Sequence, residues 1–125
     1  MLSKNLIFYF ERFKGNIEDD KFLNYLINAE MYLDNRFLDK RVEELIIDDK
    51  HNFVLIDFWD EDKRANDKIE LKKNNLSVTY SRYGKYYINS ILDHVESFDV
   101  IDKRNLFYIK LKPNGRDERV YCYEK

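Results

Sequence analysis

The chain's 125 residues suffice for one domain, 1–125, around a single core, and an apolar share of 44% with nine Phe, ten Tyr, three Gly and one Pro is that of a folding sequence rather than a disordered tail. The net charge of -2 divides unevenly: residues 1–62 carry 8 basic against 15 acidic side chains, a net of -7, and residues 63–125 carry 14 against 9, a net of +5, so an acidic and a basic region either face different partners or neutralise each other. A single cysteine, Cys122, excludes an internal disulfide, and two histidines beside it give too few donors for a closed zinc site, so no cofactor is expected.

No apolar run reaches the roughly 18 residues of a membrane span, and MLSKNLIFYFERFK is broken by Glu11 and Arg12 with no small-residue cleavage site behind it. The expected compartment is a reducing cytoplasm. Ser3 can cap a helix over KNLIFYFERFK, with Leu6, Ile7, Phe10 and Phe13 on one face and Gly15 ending it, although the aromatic density of LIFYF also suits a strand. A second helix is predicted over 17–34. Glu18, Asp19 and Asp20 favour its N-terminus, and Phe22, Tyr25, Leu26, Ala29 and Leu33 form its apolar stripe. Residues 36–47 continue the helical spacing through Leu38, Val42, Leu45 and Ile46, while ELIID reads equally well as a strand.

At residue 53 the period becomes two. FVLIDFW puts Val54, Ile56 and Phe58 on a purely apolar face, and KIELKK and LSVTYS follow as a hairpin around Asn74 and Asn75, which tolerate a left-handed turn. KYYINSILDHVESF returns to helical spacing, predicting a helix over about 85–98 that buries Tyr87, Ile88, Ile91, Leu92, Val95 and Phe98. NLFYIKLK and ERVYCYEK close the chain as a hairpin around PNGRD, where Pro113 and Gly115 supply the turn geometry. The class expected is α+β: N-terminal helices, then a mostly antiparallel sheet interrupted by one helix, then a C-terminal β-hairpin.

Within LIDFWDEDKRANDKIELKK, Asp57 precedes Glu70 by 13 residues and Lys72 stands two beyond it. This arrangement is similar to the pattern of the PD-(D/E)xK nucleases. The resemblance implies a divalent metal on the two carboxylates and a lysine positioning the attacking water. The form is also common here by composition, since Asp19-Asp20-Lys21, Asp48-Asp49-Lys50 and Glu61-Asp62-Lys63 share it. LSVTYS moreover adds a strand where the family has none, and alternation with Ile69 and Leu71 makes Glu70 and Lys72 a solvent-facing pair. A charged hairpin is the expectation, with the nuclease as the alternative.

Asp60, Glu61 and Asp62, flanked by Asp57 and Asp67, lack the turn glycine and terminal Glu of an EF-hand loop and read as a solvated turn. His94, beside Asp93 and near Glu96, has no nucleophile motif to serve, and Cys122, alternating with Tyr121 and Tyr123, reads as a small buried hydrophobe. YSRYGKYY, residues 80–87, is the most suggestive surface stretch, because Tyr and Arg favour interfaces and aromatics beside cations stack on bases. With Lys63, Arg64, Lys68, Lys72 and Lys73 it makes 63–85 basic, so nucleic-acid binding through Tyr83 and Lys85 is a second alternative.

Without a catalytic constellation, the expected function is non-enzymatic: binding, and thereby inhibiting, a protein partner with a basic surface, in the manner of immunity proteins or phage inhibitors. Asp48, Asp49, Asp60, Glu61 and Asp62 are the candidate acidic contacts, with Trp59, Tyr83 and Tyr86 as anchors. The abundance of Phe, Tyr, Ile, Asn and Lys, whose codons are AT-rich, suits a low-GC bacterial or phage source.

Overall fold

The computed structural model describes residues 17–125, with side chains from Lys21 onward. The predicted segment 4–14 lies outside the described residues. The chain divides at Leu38 into two units. The first contains helix α1 (Ile17–Phe37), which runs three residues beyond its expected end and has Arg36 in its last turn, where a cation suits the dipole. Leu23, Leu26, Ala29, Glu30, Leu33 and Phe37 are buried at helical spacing. Tyr25, expected in that stripe, is exposed. Among the described residues no helix is long and apolar enough to cross a membrane.

The second unit, Asp39–Lys125, is entirely strand and turn. Strands β1 (Val42–Asp48), β2 (Phe53–Asp60), β3 (Lys63–Lys72), β4 (Asn75–Arg82) and β5 (Lys85–Leu92) form one antiparallel sheet in chain order. Strands β6 (Val95–Asp102), β7 (Leu106–Pro113) and β8 (Arg119–Glu124) form another, also in chain order. The α+β class is therefore as expected, with two meanders in place of one interrupted sheet. Strand β6 touches β1, β2, β3 and β4, so it runs across the first sheet. Val54, Ile56 and Phe58, the face expected to meet the core, are buried with Ala65, Ile69, Leu76 and Val78 from the same sheet and Phe98, Val100, Phe107, Ile109 and Leu111 from the other.

The predicted helix over 85–98 does not form. Its residues make β5, a turn at Asp93 and His94, and β6. Leu92, Val95 and Phe98 are buried as expected, but Tyr87 and Ile88 are 53% and 58% exposed. The chain turns because His94 takes a left-handed φ of 58°, its N–H reaches Asn75 Oδ1, and its carbonyl accepts from Asn114. Residues 42–48 are likewise strand rather than helix. In the β3–β4 turn the left-handed residue is Lys73, φ 56°, one position before the expected Asn74. The final hairpin forms as predicted, with Gly115 at φ 67°.

Candidate functional site

Register fixes which side chains of the first sheet share a face. Asp57 lies opposite Asn66, and Phe53 lies opposite Glu70. Asp57 and Glu70 thus point outward together but stand four residues apart along the strands, about 13 Å. Asp57 faces Arg64 Nη1 at 3.5 Å instead, and Glu70 faces Lys68 Nζ at 3.7 Å. Two carboxylates sharing one ion need oxygens within about 2.0–2.6 Å of it, so Asp57, Glu70 and Lys72 do not form a metal site. No cluster of His, Cys, Asp or Glu suited to a metal ion is found among the described residues. Asp67 points to the opposite face from Asp57 and is completely buried, its Oδ1 2.9 Å from Arg82 Nη2. His94 sits in a turn, so the helical acid–base arrangement with Asp93 and Glu96 does not arise. Cys122 is half-buried while Tyr121 and Tyr123 are buried, the reverse of the expected alternation.

The acidic residues are divided between the two ends of the sheet. Asp48 and Asp49 lie in the β1–β2 turn, and Asp60, Glu61 and Asp62 in the β2–β3 turn; the eight residues of β2 between them span about 26 Å. The two ends differ in kind. At the Asp48 end, Asn52 Oδ1 accepts from Val100 N at 3.0 Å and the Asn74 carbonyl accepts from Val95 N at 2.7 Å, so both turns are tied to β6. There Asp48 accepts from the backbone N–H of His51 and Lys50 and faces the His51 ring; the backbone bond from His51 is the main reason its pKa is depressed.

At the other end, the turns between β2 and β3 and between β4 and β5 carry the three expected anchors. Trp59 is 45%, Tyr83 60% and Tyr86 73% exposed. Trp59 lies opposite Arg64, while Tyr83 stands in the β4–β5 turn, beyond the last residue of β4. Tyr86 lies opposite Ser81, in the next row of the same face. The Arg64 guanidinium lies 5.3 Å from the Trp59 ring centre and Lys63 Nζ 4.6 Å from that of Tyr83, close enough for each cation to order its ring. Comparison with family models, curated proteins and solved structures finds no match. The geometry alone speaks for this end. Glu61 and Asp62 occupy the turn with φ of 49° and 53°, and Tyr83 takes φ 52° before Gly84. These are the left-handed pairs that a two-residue hairpin demands, here held partly by side chains that disfavour them.

Arg64 is itself neutralised, since Nη2 donates to Glu43 Oε2 at 2.9 Å while Nη1 faces Asp57. Part of the basic charge of 63–85 is therefore met within the fold. Lys68 and Arg82 also face carboxylates, while exposed Glu61 and Asp62 share this end of the sheet with exposed Lys63 and Lys85. The rings are exposed and ordered by cations, with an acidic tip beside them. Such a patch can bury aromatic surface against an apolar or cationic partner.

Proposed function

We propose that the protein is a non-enzymatic binding module that engages, and by occupying it inhibits, a protein partner with a basic surface. Contact runs through the free end of the five-stranded sheet, with Trp59 and Tyr83 as anchors, Tyr86 beside them, and Asp60, Glu61 and Asp62 steering the encounter. The observation that supports this reading is the presence of three large exposed aromatic side chains beside an acidic turn, at the end of the sheet opposite the one whose turns hydrogen-bond to β6. Asp48 and Asp49 have no part in it.

Complementary charge acts mainly on the association rate, and buried aromatic anchors act mainly on dissociation. A partner recovered by tagged pull-down from nuclease-treated lysate of the native source is the reagent for the test. Neutralising Asp60, Glu61 and Asp62 to amides slows association and flattens its salt dependence, whereas Asp48→Asn with Asp49→Asn leaves both unchanged. Trp59→Ala or Tyr83→Ala weakens binding by about 2 kcal/mol, roughly thirtyfold. Surface plasmon resonance at two ionic strengths reads all of these, and an unchanged rate in the first variant rejects the assignment. If only nucleic acid is recovered, with affinity falling steeply with salt and on Lys85→Ala, single-strand binding replaces it.

A further inference from the structure

Among the described residues, strand β5 is the last strand of its sheet and pairs only with β4. From Lys85 to Ser90 every residue is exposed, on both faces of the sheet, so neither side of the strand is covered. An open edge of this kind presents a row of backbone donors and acceptors to a further strand, and edges are ordinarily protected by charge, bulges or cover. The opposite edge has such protection: β1 carries Glu43, Glu44 and Asp48 and is bulged at Glu43. Between Tyr86 and Leu92 strand β5 carries no charge at all, and its exposed large side chains are Tyr86, Tyr87 and Ile88.

We infer that the β5 edge pairs antiparallel with β5 of a second copy of this chain, joining two five-stranded sheets into one of ten strands across a two-fold axis. The strand's own pattern selects this occupant. A two-fold axis perpendicular to the sheet keeps each face on its own side and must pass through a residue that meets itself. The β4–β5 turn limits the regular stretch at Gly84, and the extra residue Ile91, where the β4–β5 register shifts, limits it after Ser90. The midpoint of 84–90 is Tyr87.

Centred there, Tyr87 meets Tyr87 of the second copy on one face, and Tyr86 meets Ile88 of the second copy, twice, on the other. These are aromatic–aromatic and aromatic–β-branched pairs, the combinations that stabilise cross-strand contacts. Lys85, the one charge on the strand, meets Asn89 of the second copy, and the two Lys85 residues are kept about 13 Å apart. Centring on Ile88 instead would set Tyr86 against Ser90 and Tyr87 against Asn89, and would bring the bulge opposite Lys85. A parallel pairing would set Lys85 beside Lys85. Trp59 and Tyr83 stay outside the seam; Tyr86 belongs to both surfaces, and the pairing is therefore tested at Tyr87, which takes no part in the partner contact proposed above.

Sedimentation equilibrium of the full chain over a range of concentrations tests the pairing through charge exchange at Tyr87, an exposed side chain whose replacement circular dichroism should show to leave the fold intact. Wild type passes from monomer to dimer as concentration rises. Tyr87→Lys and Tyr87→Glu each place like charges directly opposite and weaken self-association at least about tenfold. Mixed in equal amounts, the two variants recover the dimer, because Lys then faces Glu. A wild type that stays monomeric at every concentration, a single variant that dimerises as wild type does, or a mixture that fails to recover the dimer would each overturn the inference.

Discussion

Arg82 links side chains and carbonyls from three strands of the first sheet, β2, β3 and β4. Its guanidinium lies 4.8 Å from the Phe58 ring centre and 5.4 Å from that of Tyr80, donates to the carbonyls of Asn66 and Ser81, and faces the buried carboxylate of Asp67. Removing one partner of a buried ion pair costs more than the pair contributes, because a charge is left where water cannot reach it. Arg82→Met is expected to lower stability by about 3 kcal/mol in urea unfolding, and Asp67→Asn combined with it to restore part of that loss. At Asp48 the expected effect is on pH dependence. Its folded pKa lies below the unfolded value, so its bonds to the His51 and Lys50 N–H groups stabilise the turn above the ordinary aspartate value of about 3.9 and lose that contribution as pH falls through the folded value. A carbon-detected titration should place the Asp48 midpoint below that ordinary value, and Asp48→Asn should flatten the acid limb of the stability curve. The pairing of Asp67 with Arg82 could not be read from sequence, since an inward aspartate on a half-polar strand looks like any solvent-facing one until the register is known.

At the scale of elements, the β2–β3 hairpin is built against local preference. Its two-residue turn favours Asn-Gly, and Glu61 at φ 49° disfavours the left-handed region by about 1 kcal/mol. Glu61→Asn with Asp62→Gly should therefore raise the midpoint of thermal unfolding while slowing partner association, a pairing of effects that measuring both quantities on one variant would establish. Strands with one buried face were legible: FVLIDFW, KIELKK, LSVTYS and NLFYIKLK all read correctly from their alternation. Strand β5 was not, for the reason that makes it interesting. A strand bare on both faces has no period of two to display, and Tyr87, Ile88, Ile91, Leu92, Val95 and Phe98, split between two strands, fall by coincidence at helical spacing. The β-branched and aromatic content of KYYINSI was the available signal, and it was outweighed by periodicity.

Across the whole molecule, the charge asymmetry between the chain's halves is partly consumed within the fold. Arg64 meets Glu43 and Asp57, and Arg82 approaches Asp60 at 3.9 Å, so basic side chains from the second half face carboxylates from the first. Net charge along the sequence thus overstated the basic segment. It was informative only at Glu61 and Asp62, which project from a turn. The exposure of Trp59, Tyr83 and Tyr86 was legible because large aromatics beside turn residues have little chance of burial. Their convergence at one end was not, because it depends on hairpin register. The meander itself has a consequence for how quickly the fold is reached. Within each sheet every strand after the first pairs with its immediate predecessor, so the sheets form through hairpins of low contact order, each closing on the microsecond scale. Crossing β6 over β1 to β4 is the one step that joins distant parts of the chain, and the search for that crossing, rather than sheet formation, sets the rate at which this unit folds.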